Sequence, residues 1–308
     1  MADPDITVVP ITIYRASIPF TEQVPIHKSS LPPGISASDV IGGGHCSLIA
    51  VHPETKRVLK FAHESRTRGP SSDSIRLEWE IYRRVQDGGT ASGSPHIISC
   101  FGFFPADSSK YPTETLELEY CPNGTLRDRV RRDKTDRPLP SPAQLFRWAF
   151  QIADAVRFIH AKGVWHGDLK LANALLDANG DIKMGDYSAS VIVDPEPGST
   201  WYPTKPPRNQ TAYRPPDLPT GIATEVFGFG AALFEMWTGK QPYEELFRED
   251  LSHCKGLRDL YLQRKFPQLD ESVMPAKVIK KCWNMVYENF EQIKNELEEE
   301  KIRLVLDG

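Results

Sequence analysis

Residues 164–176 read VWHGDLKLANALL, and within them His166, Asp168 and Asn173 stand at the spacing H-x-D-x-x-x-x-N. Three fixed residue types recur at a set spacing about once in 8,000 positions at average usage, so the segment needs support from its surroundings. Upstream, from Val40 to about Glu119, short apolar runs have the look of strands. They are interrupted by one helical stretch, Ile75 to Val85, with Leu77, Ile81 and Val85 on its apolar side. Beyond the PNG turn at Pro122–Gly124 the pattern becomes helical. Ser141-Pro142-Ala143-Gln144 combines an N-cap, a proline at the first helical position and a capping-box glutamine. Leu145, Trp148, Ala149, Ile152, Ala153, Val156 and Ile159 then recur at helical spacing until Gly163 supplies a stop. A second helix, near Ala223 to Trp237, is apolar on almost every side and is expected to be a buried axis. From Lys277 to about Arg303 the sequence predicts a helix whose many charges form a solvated face.

With 308 residues and 40% apolar composition the chain has material for a sizeable core, and its net charge of -4 gives no reason to expect nucleic acid or an anionic membrane as a partner. The opening MADPDITVVPITIY lacks the basic start of a secretory signal, and Pro10 breaks its apolar run. An intracellular address, cytoplasm or nucleus, is therefore expected. Cys46, Cys100, Cys121, Cys254 and Cys282 are scattered, with no CxxC pair, and are expected to be reduced thiols. The stretch to Ser38, rich in Pro, Ser and Thr, is expected to be a loosely packed arm. LRDRVRRDKTDR, at 126–137, reads as a solvated helix face and loop, with substrate docking as the sharper alternative.

The order of motifs around the opening segment resembles that of the eukaryotic protein kinases. IGGGHCSLI (41–49) resembles their glycine-rich loop, with Gly42 and Gly44 at the first two glycines and Ser47 at the third. RVLKF (57–61) supplies Lys60 at the strand lysine. RLEWEIYRRV (76–85) supplies Glu78 as that lysine's partner, with Glu80 as a competitor that faces elsewhere on the helix. LELEYCPNGTL (116–126) resembles the last strand and hinge, with Leu118 as gatekeeper. IKMGDYSAS (182–190) places Asp186 where the metal-binding aspartate belongs. YRPPD (213–217) resembles the end of the activation segment, followed by a buried helix that begins with Glu225 in place of the usual aspartate. With Cys282-Trp283, the likeness covers about Val40 to Phe290.

The resemblance implies an α+β, bilobal fold: an arm at 1–38, a kinase domain at 39–300 with a β-rich lobe to about 120 and a helical lobe from 121, and a tail at 301–308. It implies a serine/threonine kinase that uses ATP and Mg2+ on a protein substrate, with no sign of oligomeric state. Asp168 would accept or orient the hydroxyl proton, Lys170 would stabilise the transferring phosphate, and Asn173 and Asp186 would hold metal. Lys60 and Glu78 would position the triphosphate. Ile41, Gly42, Gly44, Ile49, Val58, Glu119, Cys121 and Thr125 would contact the nucleotide, Thr125 being equally suited to stabilising its loop. The sequence departs from the family pattern at Gly167 (for arginine), Ser188 (for glycine), Gln210 (for threonine, with Thr211 beside it) and Asp217, which has no obvious arginine partner. Gly167 leaves no cation to collect a phosphate on the activation segment, so activation by phosphorylation there is not expected. Two rival readings remain: a pseudokinase scaffold, and a small-molecule phosphotransferase, against which the YRPPD segment argues.

Overall fold

Strand register puts a row of chemically distinct residues on one face of a sheet, and the chain's first half is built around that row. In the computed structural model the described residues are 6–15, 18–43, 47–62, 72–87, 93–106, 108, 110–131, 138–193, 200–201, 213–249 and 254–306. The chain divides into two compact units, residues 1–93 with 98–120, and residues 94–97 with 121–308.

The first unit begins with an antiparallel hairpin, β1 (Ile6–Arg15) and β2 (Ile18–His27). A five-stranded antiparallel sheet follows: β3 (Val40–Gly43), β4 (Ser47–Val51), β5 (Val58–Ala62), β6 (Cys100–Phe104) and β7 (Thr115–Leu118), in the order β3-β4-β5-β7-β6. Gly42 lies opposite Ile49, Ile49 opposite Lys60, and Lys60 opposite Leu116. Directly opposed residues share a face, as do residues two apart on a strand, so Val58 and Leu118 belong to the same side. Between β5 and β6 runs the helix α1 (Ser72–Val85).

The other face of the sheet carries the core. Leu48, Ala50, Leu59 and Phe61 pack there with Ile26, Ile35 and Tyr111, flanked by Val24, Leu31, Ala37 and Phe104. Residues between Val24 and Ala37 are thus part of the core, which corrects the expectation of a loose arm for that part of the stretch. Burying a large aliphatic side chain contributes about 1.5–3 kcal/mol, enough to hold a proline-rich segment that has no periodic pattern of its own.

The second unit is mainly helical: α2 (Leu126–Val130), α3 (Pro142–Ala161), α4 (Ile222–Thr238), α5 (Glu244–Glu249), α6 (Cys254–Leu262), α7 (Ala276–Trp283) and α8 (Phe290–Lys301). Short strands fall between α3 and α4. β8 (Val164–Trp165), β11 (Val191–Val193) and β12 (Thr200–Trp201) form one sheet, and β9 (Ala174–Leu176) pairs with β10 (Ile182–Met184). The Ser141 hydroxyl caps α3 by accepting from the Gln144 amide at 3.2 Å, and Gly163, at φ +69°, follows its end. α4 is buried along nearly its whole length, from Thr224 to Trp237. At Gly228 a Cβ would come within 3.1 Å of the Leu169 and Tyr213 carbonyl oxygens, so glycine there lets both backbones lie against the helix.

Two sequence expectations need correction here. The segment expected as one helix from Lys277 to Arg303 is broken into α7 and α8. Met285 adopts φ +54°, and Asn289 starts the second helix by accepting from the Gln292 amide at 3.0 Å. Its face is not uniformly solvated either. Glu296 is buried, bonded by Lys277, Lys281 and Tyr287, and its carboxyl is held at about 2, burial being outweighed by those three donors. Likewise Arg127 and Arg131 are buried, not solvated, and form ion pairs with Glu235 and Glu244 at 3.1 and 3.0 Å. Among the described residues no helix is long and apolar enough to cross a membrane.

Candidate active site

In the first unit, Lys60 and Glu78 form a buried ion pair, Nζ to Oε2 at 2.6 Å. β5 presents the lysine, and α1 turns Glu78 inward together with Ile75, Leu77, Ile81 and Val85. Glu80 points outward and contacts Arg83 at 3.3 Å. Two charges removed from water need mutual compensation, and losing either partner of such a pair costs about 3–5 kcal/mol. Gly42 lies on β3 with open space where a Cβ would be, Ile41 is exposed, and Ile49 and Val58 are partly buried. Gly44 lies outside the described residues.

At the end of this unit Glu119 is tied back to Ser99. Its amide donates to the Ser99 carbonyl at 2.9 Å and its carboxylate accepts from the Ser99 amide at 3.0 Å. In the second unit Cys121 is buried and its carbonyl accepts from the Gly124 amide at 3.3 Å. The Thr125 hydroxyl accepts from the Asp128 amide at 3.1 Å and donates to its carboxylate at 2.7 Å, capping α2. Of the two roles open to Thr125, the structure displays the loop-stabilising one.

The catalytic-loop candidates gather between β8 and β9. Lys170 Nζ donates to Asp168 Oδ2 at 2.5 Å, and Asn173 Nδ2 donates to the Asp168 carbonyl at 2.9 Å and to Oδ2 at 3.1 Å. Two side chains, an ammonium and an amide, thus converge on one carboxylate. With its nitrogen directed to Asp168, the Asn173 amide has its oxygen left to offer a cation.

Asp186 follows β10 and adopts φ +59°, a backbone region uncommon for residues with a side chain. Its Oδ1 accepts from the Ser188 hydroxyl at 2.9 Å. An amide oxygen and a carboxylate suit a hard cation that completes its shell with water and phosphate oxygens. Among the described residues no group of three or more His, Cys, Asp or Glu side chains forms a self-sufficient metal cage.

What holds the loop is Glu225 on α4. Its Oε2 accepts from the His166 amide at 3.0 Å and its Oε1 from the Gly167 amide at 2.9 Å, while His160 Nε2 lies 3.4 Å from Oε2. Burial raises the Glu225 pKa, but His160, the His166 imidazole and the Gly167 amide outweigh it and leave the carboxyl below its usual range. The Ser190 hydroxyl donates to the His166 carbonyl at 2.7 Å, and His166 Nε2 bonds the Gly185 carbonyl at 3.2 Å. Only the Glu225 position was legible in the sequence; nothing there marked His160 or Ser190.

The YRPPD segment is anchored in two ways. The Tyr213 hydroxyl donates to Glu235, inside the buried pair with Arg127. Asp217, for which the sequence offers no obvious arginine, pairs with Arg258 on α6, both largely exposed. That corrects the expectation of an unpartnered acid. Gln210 and Thr211 lie outside the described residues.

The family model for the protein kinase domain matches residues 37–295, and the chain belongs to the protein kinase family. It is 27% identical over 218 residues to a probable serine/threonine-protein kinase of Dictyostelium discoideum, covering 69% of this chain and 15% of that protein. To a serine/threonine-protein kinase-like protein of Arabidopsis thaliana it is 29% identical over 219 residues, 68% of this chain and 56% of the relative. A probable receptor-like protein kinase of Arabidopsis thaliana is 30% identical over 204 residues, 58% of this chain and 52% of the relative. The chain therefore spans between 15% and 56% of the length of these relatives.

Proposed function

We propose that this chain is an active, ATP-dependent protein kinase that transfers the γ-phosphate to serine or threonine hydroxyls of other proteins. The observation that carries the proposal is the convergence of Lys170 and Asn173 on the Asp168 carboxylate. A base within hydrogen-bond reach of a hydroxyl, with an ammonium beside it, is what phosphoryl transfer requires of side chains. Asp168 accepts or orients the substrate hydroxyl proton, and Lys170 balances charge on the phosphate in flight. Lys60, fixed by Glu78, contacts triphosphate oxygens. Mg2+, when bound, neutralises phosphate charge, and Asn173 and Asp186 are the residues assigned to hold it. Glu119 and Cys121 offer backbone groups to adenine. An address in the cytoplasm or nucleus belongs to the same proposal.

One observation favours a second reading, a scaffold that binds nucleotide without efficient transfer. Ser188 engages the Asp186 carboxylate that the metal needs. Labelled γ-phosphate transfer over a peptide array, with small-molecule acceptors in parallel and Asp186→Ala as control, separates the readings. Label on serine or threonine peptides that vanishes in the control supports the kinase. Nucleotide binding with no label on any acceptor supports the scaffold.

A further inference from the structure

Gly167 is held on both sides of its backbone, by residues from two different elements. Its amide donates to Glu225 on α4, and its carbonyl accepts from Arg214 Nη1 at 3.4 Å. The other arm of the same guanidinium, Nη2, donates to the Leu218 carbonyl at 3.0 Å and to the Thr220 hydroxyl at 3.1 Å. The planar fork of arginine allows this bridge, because its two Nη groups point in fixed, divergent directions. At 3.4 Å the Gly167 contact is long for a hydrogen bond. Charge adds to it: burial pulls the Arg214 pKa down, whereas Glu225 and Asp168 both favour the charged guanidinium. The arginine therefore sits in the field of the proposed base and of the carboxylate that anchors the loop.

We propose that Arg214 is a positioning residue that couples the Gly167–Asp168 peptide to the 213–221 segment, so that the orientation of Asp168 depends on that segment being folded. The carbonyl that Arg214 bonds belongs to the same peptide plane as the Asp168 amide. Moving it turns the Asp168 side chain relative to Lys170 and Asn173. The other end of the bridge is the 218–220 stretch that follows the turn at Pro216-Asp217 and precedes α4, where the Thr220 hydroxyl accepts from the guanidinium. A change that displaces this stretch is thereby transmitted to the loop without an added phosphate. This inference rests on the proposed role of Asp168 in transfer.

The test uses the full chain with Arg214→Met, Arg214→Lys and Thr220→Val. Steady-state rates give kcat and KM for ATP and peptide, and hydrogen exchange reports the His166 and Gly167 amides. Arg214→Met is expected to lower kcat at least tenfold with KM for ATP within twofold, and to speed exchange at both amides at least fivefold. Arg214→Lys, a single-point donor, is expected to fall between it and wild type. Thr220→Val, which loosens only the far end, is expected to lower kcat severalfold and to add little when combined with Arg214→Met. A mere brace of the turn would lower the melting temperature with kcat and exchange unchanged, and that result overturns the proposal. Should the wild type transfer no phosphate, the kinase reading fails by itself. Exchange at the two amides then decides the coupling: faster in Arg214→Met supports it, unchanged refutes it.

Discussion

A Cβ on Gly167 would stand 2.1 Å from the carbonyl oxygen of Ala189, and Gly167 itself adopts φ +78°. The residue that departs from the family pattern is therefore required by the backbone around it. A left-handed conformation costs about 1–2 kcal/mol for a residue with a side chain, and crowding of a packed site about 1–3 kcal/mol more. Gly167→Arg is expected to lose roughly 2–5 kcal/mol of stability by urea denaturation and most phosphate transfer. A variant as stable as the wild type would show that the loop accommodates the side chain.

Ser188 adds a hydroxyl donor to the Asp186 carboxylate. A hydrogen bond to a charged group is worth about 1.5–3 kcal/mol, and a cation must compete with it. Ser188→Gly is expected to tighten the magnesium dependence of ATP binding by about tenfold, as measured by calorimetric titration across magnesium concentrations. Weaker magnesium coupling in the variant would instead make the serine a guide for the carboxylate.

Glu225 provides a pH signature. Its pKa is lowered in the folded chain, so it contributes stability above the unfolded value of about 4.3, and this contribution is lost as pH falls through the lower, folded value. The stability gap between wild type and Glu225→Gln is thus expected to be largest near neutrality and to shrink below about pH 4.3. Urea melts at several pH values measure it. A gap that widens on acidification would contradict the assigned sign.

Ile26 is 1% exposed within the core that packs on the sheet face carrying Leu48, Ala50, Leu59 and Phe61. Ile26→Ala is expected to destabilise the chain by about 2–5 kcal/mol, the range for emptying a well-packed aliphatic site. A change under about 0.5 kcal/mol, the usual effect of a surface substitution, would return this segment to the status of an arm.

The buried helices were legible because α3 and α4 carry their own signals, Ser141-Pro142 and Gly163 around one and an all-round apolar surface on the other. Glu78 stood apart from Glu80 by helical geometry alone. The cover on the sheet was not legible, because Ile26 and Ile35 sit in a proline-rich stretch whose apolar residues follow no period. Arg127 and Arg131 looked solvated because their partners, Glu235 and Glu244, are 108 and 113 residues away. The bridge from Arg214 to Gly167 joins residues 47 apart, and the Ser188–Asp186 bond, though local, depends on the backbone conformation that Asp186 adopts at φ +59°. In the candidate site, sequence supplied the residues, while the contacts that orient them came from the fold.

The central claim, that Asp168 serves transfer of phosphate to a protein hydroxyl, is tested most directly by single-turnover transfer from γ-labelled ATP in wild type and Asp168→Asn. Labelled phosphoserine and phosphothreonine are quantified, with ATP affinity and thermal melting measured on the same samples. The account predicts label in the wild type, a fall of about 10²–10⁴-fold in the variant, and unchanged folding and ATP affinity. Transfer within twofold of wild type in Asp168→Asn, or ATP binding by a wild type that labels nothing, would contradict it.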